Sequence, residues 1–288
     1  MSRDDSFTLK AGGSIARFSA SGAECRAWRV GARDMLWTSD PAIWPAVAPV
    51  LFPTCGWSRD GAIRIGDTRY RMPVHGFAAQ CTFDATQTGD DAILFTRSAD
   101  AQTRAQYPFS FELAVGYRLT REALHVEIAV GNSGEIPMPY ACGLHPGFVW
   151  GEGPHRFVFA QAERAEVPVI APGGLFSDRR RAVLLDGAVL ALTKGLFAQE
   201  ALCFVEARSR AFRFEGPDGV LEIDAPDFPH LVLWSTKGAS FLAVESWTGT
   251  GDLEGFDDDF HARPSMIHLE PRAWRTHRVS YRWSARVP

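Results

Sequence analysis

The chain has 288 residues, 46% of them hydrophobic, and a formal net charge of −4. This is enough apolar material for a large core, and without a basic excess it offers no nucleic-acid or anionic-membrane surface. No window approaches the ~20 consecutive apolar residues of a membrane-spanning helix.

The N-terminal run Met1-Ser2-Arg3-Asp4-Asp5 is polar and acidic, with no apolar region after it of the kind that marks a secretion signal. Phe7-Thr8-Leu9 and Ile15-Ala16-Arg17-Phe18 read as strands around a turn at Gly12-Gly13. Ala27-Trp28-Arg29-Val30 and Met35-Leu36-Trp37 read as a second hairpin. In Pro49-Val50-Leu51-Phe52-Pro53-Thr54-Cys55-Gly56-Trp57, the prolines hold an apolar run extended and Gly56 permits a sharp turn. A turn at Gly66-Asp67 then leads through Met72-Pro73 to Val74-His75-Gly76-Phe77. Ala92 to Thr96, Phe109 to Leu119 and Leu124 to Val130 alternate large apolar with small or polar residues, the period of half-buried antiparallel strands. His125 falls on the polar phase and reads as surface.

At the midpoint, His145 stands between Gly143 and Pro146. Glycine opens backbone conformations closed to other residues, and the residue before proline is pushed toward extended geometry. His145 therefore belongs on a stiff strand end or turn. Its side chain suits proton transfer near neutrality, and it is equally readable as a histidine satisfied by a turn carbonyl. Beyond it, residues 156–159, 182–185, 202–205, 220–224 and 231–234 read as strands, and 192–201 as a short helix or loop. Arg179-Arg180-Arg181 reads as a solvated turn. Phe241-Leu242-Ala243-Val244-Glu245-Ser246-Trp247 is an apolar strand delivering one carboxylate ahead of the glycine-rich Thr248-Gly249-Thr250-Gly251-Asp252. An ionised carboxylate there is costly unless paired or set in a cleft. Glu254 to Asp259 reads as a solvated acidic loop. Thr276 to Trp283 reads as a closing strand with Arg278 and Arg282 outward.

Cys25, Cys55, Cys81, Cys142 and Cys203 are scattered and form no Cys-x-x-Cys pair, which points to reduced thiols and a soluble, cytoplasmic protein. With no repeat and no low-complexity linker, residues 1–288 read as one β domain.

Several segments in order resemble the aldose 1-epimerase (galactose mutarotase-like) family. They are Pro49-Val50-Leu51-Phe52-Pro53, Tyr70-Arg71-Met72-Pro73-Val74-His75-Gly76-Phe77, Tyr107-Pro108-Phe109-Ser110-Phe111, the run Asn132-Ser133-Gly134-Glu135-Ile136-Pro137-Met138-Pro139, Gly143-Leu144-His145-Pro146 and Val244-Glu245-Ser246-Trp247. The resemblance implies an all-β fold, a large antiparallel sandwich with few short helices and a sugar cleft on one face. It implies an isomerase that needs no cofactor or metal and opens the ring of a hexose or related aldose. His145 would be the general acid on the ring oxygen, Glu245 the general base on the anomeric hydroxyl, and His75 a sugar-binding residue beside them. Where family members often carry arginine after the glycine matching Gly56, this chain has Trp57, with Arg59 close by. Trp57, Arg59 and Trp247 are candidate sugar contacts. Asp227 and Asp252 are candidate hydroxyl-binding carboxylates that also read as turn-capping aspartates. A non-catalytic sugar-binding or regulatory protein on the same scaffold is the alternative. A glycoside hydrolase ranks last, because Glu245 lacks a convincing second carboxylate.

Overall fold

A computed structural model describes residues 6–286. Two large antiparallel sheets dominate. The first has nine strands in the order Val189–Leu192, His155–Phe159, Ala211–Gly216, Gly219–Asp224, Trp274–Ala285, Ala123–Asn132, Phe111–Leu119, Ala92–Ser98 and Asp84–Gln87. The second has six, with Leu202–Phe204, His230–Trp234, Phe241–Trp247, Gly143–Leu144 and Val50–Leu51 in order, and Gly147–Val149 also pairing with Phe241–Trp247. The first four strands from Ser6–Ala11 to Arg33–Asp34 form a smaller sheet, and short hairpins complete the structure. The helical segments are single short turns, such as Ala101–Arg104 and Lys194–Phe197. None of the described helices is long and apolar enough to cross a membrane.

The alternating patterns of residues 109–119 and 124–130 form adjacent strands, as their period of two predicts. Phe111, Leu113, Val115, Tyr117 and Leu119 point inward, as do Val126, Ile128 and Val130. The six-stranded sheet contributes Leu242, Val244, Leu231, Leu233, Leu144 and Phe148 to the same core. Phe148 meets Tyr281 of the nine-stranded sheet with ring centroids 5.1 Å apart. Every residue from Phe241 to Trp247 is buried. Phe241, Leu242, Ala243 and Val244 belong to the main core, whereas Trp247, at the far end of the strand, lies in a second apolar cluster with Leu51, Phe176, Cys203 and Val232 on the face that Glu245 shares. This outer face carries the candidate site.

Three expected elements differ. The strand expected at 182–185 ends at Ala182, and Leu184 is 90% exposed. Arg179, Arg180 and Arg181 lie on that strand, Leu175–Ala182, and Arg181 is half-buried against Glu200. A cation run looks solvated until a carboxylate from elsewhere in the chain meets it. The second hairpin turns earlier than expected, with its return strand at Arg33–Asp34.

Candidate active site

Strand register sets the site. Glu245 lies directly opposite Val232, which lies opposite Cys203. Directly opposed residues in an antiparallel pair share a face. On the other side, Gly143 pairs with Trp247 and Leu144 with Ser246, so His145, continuing that strand, arrives beside Glu245. Its peptide is held by His145 N–H to the Pro49 carbonyl at 3.1 Å, and Val244 N–H donates to the Pro146 carbonyl at 3.1 Å. His145 Nε2 ends 3.2 Å from Glu245 Oε1. The other carboxylate oxygen accepts the Trp247 indole N–H at 3.0 Å, possible because residues two apart on a strand share a face.

His75 enters from a different loop, with φ at +64°, a left-handed conformation that costs a non-glycine residue about 1–3 kcal/mol. Paired hydrogen bonds to one residue fix it there. His75 N–H donates to the Gly56 carbonyl at 2.9 Å, and Gly56 N–H donates to His75 Nδ1 at 3.2 Å. Gly76 follows with φ at +76°, and a Cβ there would lie 2.1 Å from the Phe52 carbonyl oxygen. The glycine after the histidine is therefore a steric requirement.

Ligand atoms of His75, His145 and Glu245 all lie within 4.8 Å of one another. Two histidines and a carboxylate also form a familiar metal-ligand set. The hydrogen bonding favours another use. With Nδ1 accepting from Gly56, neutral His75 carries its proton on Nε2, which makes it a donor to an oxygen and not a free lone pair for a cation. Protonating Nδ1 would set two N–H groups against each other, and burial further lowers the His75 pKa to about 4. His145 is pushed well below the ordinary histidine value, first by burial and then by His75, whereas burial drives Glu245 well above the ordinary carboxylate value. The histidine is thus far from the neutral value its sequence suggests. Both directions have one cause, burial, which favours the uncharged form of each group: neutral imidazole and protonated carboxyl.

Aromatic rings enclose this pair. Trp44 stacks on His145 at 4.9 Å and 30°, and Trp234 meets it edge-on at 5.7 Å. His75 contacts both His145, at 5.4 Å, and Trp247, at 5.5 Å. Trp44 was not legible from sequence as a site residue, because Ile43-Trp44-Pro45 reads as a loop tryptophan. His230, opposite Trp247 on the same sheet face and buried, was also missed. Its Nδ1 accepts from Glu206 N–H at 3.0 Å, the same arrangement as in His75.

The chain's sequence matches the family model described as Aldose 1-epimerase over residues 5–281. It belongs to the aldose 1-epimerase family. Protein LacX, chromosomal, of Lactococcus lactis subsp. lactis is 33% identical over 233 residues, covering 75% of this chain and 78% of that protein. A galactose mutarotase-like protein from Lactobacillus casei superimposes with a TM-score of 0.91 at 28% identity, covering 97% of this chain and 100% of that one. A galactose mutarotase related enzyme from Lactobacillus acidophilus gives a TM-score of 0.90 at 25% identity, covering 97% of each chain.

Within this aldose 1-epimerase fold, Trp57 follows Gly56 and is 47% exposed, with its ring so close to Gly174 that any Cβ there would overlap it. Arg263 anchors the Trp57 backbone from behind, donating to the Trp57 carbonyl at 3.2 Å while its Nε lies 2.9 Å from Asp252. Asp252 accepts Arg59 N–H at 2.7 Å, so it is a buried clamp and not a surface turn cap. Arg59 itself directs its guanidinium to the Phe256 carbonyl. Asp227 is not with the cluster. It is exposed beside the nine-stranded sheet, where its carboxylate accepts Arg278 N–H at 2.9 Å. A Pro-Asp turn gives no hint of which sheet its carboxylate will meet.

Proposed function

We propose that the chain is an active aldose 1-epimerase interconverting the α and β anomers of a hexose or related aldose without a cofactor. The observation that carries this reading is the buried contact of His145 with Glu245 at 3.2 Å, which lets one proton pass between them without exchange with solvent. In the charge-separated form, Glu245 takes the proton from the anomeric O1. The O1 electron pair forms C1=O1, the C1–O5 bond breaks, and His145 delivers its proton to O5. The open-chain aldehyde then rotates about C1–C2, O5–H adds back to the other face of C1, and both protons return. His75, as an Nε2–H donor, steadies a sugar oxygen beside O5. Trp247 orients the Glu245 carboxylate, and Trp57 offers an exposed ring face at the rim. The galactose mutarotase descriptions of structural neighbours support a hexose. Five free thiols, four of them buried, fit a reducing cytoplasm.

The test is anomer interconversion of freshly dissolved α-glucose and α-galactose, followed by polarimetry or saturation-transfer NMR. Acceleration above buffer supports the enzyme. Trp57, where family members often carry arginine, favours the alternative of a sugar-binding protein, which would bind these sugars without accelerating them.

A further inference from the structure

The hairpin Glu166–Ala171 and Leu175–Ala182 walls the cleft beside the edge strand Leu202–Phe204, placing Phe176 and Ile170 in the apolar cluster with Cys203, Val232 and Trp247. Near its end, Arg181 crosses to the segment ahead of the edge strand. Its Nε lies 2.6 Å from Glu200 Oε1, and Nη2 donates to the Ala201 carbonyl at 3.2 Å. The second carboxylate oxygen of Glu200 accepts Ile170 N–H at 2.8 Å. Both side chains are largely covered, at 25% and 14% exposure, so the pair is fixed in place. Among the described residues, Arg181 Nη1 has no acceptor.

Position relative to the reacting pair follows from the sheet. Cys203, Val232 and Glu245 occupy successive strands in register. Two inter-strand steps put Cys203 about 10 Å from Glu245. The Cys203 thiol is influenced by groups on both sides, its pKa raised by burial and by both Glu245 and Glu200 and opposed by Arg181. Arg181, tied to Glu200 and to the Ala201 carbonyl just ahead of the edge strand, is thus held on the Cys203 side of the sheet, two strands away from Glu245, a spacing comparable to a pyranose ring with a hydrogen bond at each end.

We propose that Arg181, held by Glu200, is the specificity-determining contact of this site: it donates from Nη1 to a hydroxyl remote from the anomeric carbon, and the substrate is a neutral sugar. The inference rests on the epimerase reading. Glu200 already offsets the guanidinium, so a phosphate would find little net positive charge to receive it. Other cations near the cleft are engaged. Arg263 is fully covered beside Asp252, Arg59 is tied to Phe256, and Arg179 is exposed and turned back to Ser177.

Wild type, Arg181→Met and Arg181→Lys are compared on glucose, galactose, their 6-phosphates and their 4-deoxy and 6-deoxy analogues, with thermal melts to verify folding. Wild type is expected to favour neutral sugars over the 6-phosphates. Arg181→Met should lose about 10- to 100-fold in kcat/KM on the parent hexose, the range for a charged hydrogen bond. It should match wild type on the deoxy analogue lacking the contacted hydroxyl, and Arg181→Lys should recover part of the loss. Equal or better turnover of a 6-phosphate overturns the inference, as does a loss that is uniform across the panel. Should wild type accelerate no sugar, the epimerase reading fails separately. The same panel is then read as binding by tryptophan fluorescence, and the same two patterns decide the role of Arg181.

Discussion

Replacing Glu245 by glutamine separates the chemistry of the site from its cost to the fold. Glutamine keeps the acceptor for the Trp247 indole and offers an amide donor where Glu245 meets His145, so the two contacts at 3.0 and 3.2 Å survive. What is lost is the ability to accept the O1 proton. A positioned general base contributes about 10²–10⁴-fold, so the mutarotation rate should fall by that factor, equivalent to about 3–5 kcal/mol in the barrier. Stability should move the other way. Burial raises the folded-state pKa of Glu245 above its ordinary 4.5. Below that value the carboxyl is protonated both folded and unfolded and contributes no difference. As pH rises past it, the unfolded chain ionises first, and the folded state loses stability relative to the unfolded one. Glu245→Gln removes this penalty and should unfold harder in urea at pH 8, with the advantage vanishing near pH 4.5. Polarimetry gives the rate, and urea melts at the two pH values give the stability. A variant retaining a tenth or more of wild-type activity would refute the assignment of the base. A variant less stable than wild type at pH 8 would refute the argument from burial.

Three further outcomes follow from the same geometry. Because His145 is depressed and Glu245 raised, kcat/KM should hold as pH falls through 6.5 and decline only below it, with macroscopic limbs that belong to the pair. An acid limb centred at or above 6.5 would contradict this. Trp44→Leu removes the ring stacked on His145 and should lower kcat about 2- to 30-fold, the span of a cation–π contribution to the imidazolium. It should also move the acid limb to lower pH, and an unchanged limb would leave Trp44 a merely structural role. Arg263→Met strands Asp252 in a buried setting and should cost about 3–5 kcal/mol by urea unfolding.

The legible parts of this protein are those whose cause is local. Hairpins with glycine turns and the alternating strands around residues 109–130 appear where their patterns place them, because burial of one face needs only a period of two. His75, His145 and Glu245 were each conspicuous from stiffening neighbours or an isolated charge, and the fold brings the three together. The unread parts depend on partners elsewhere in the chain. Arg181 becomes a fixed residue only through Glu200, Asp252 a buried clamp only through Arg263, and Trp44 a site residue only because His145 arrives beneath it. The lowered pKa values likewise come from tertiary enclosure, which no pattern along the chain encodes.

The seven buried residues of Phe241–Trp247 work by parity. Odd positions hold Glu245 and Trp247 toward the cleft, while even positions hold Leu242 and Val244 in the core, so one strand serves two interiors of opposite chemical demand. Substitutions at the positions of Glu245 and Trp247 can retune the cleft without touching Leu242 and Val244, whereas Phe241 and Ala243, though odd-numbered, belong to the main core. A one-residue slip has no such freedom. It would turn leucine and valine to the sugar and drive a carboxylate between the sheets, ending folding and chemistry together. Variation in this strand among functioning relatives should therefore consist of exchanges at fixed length.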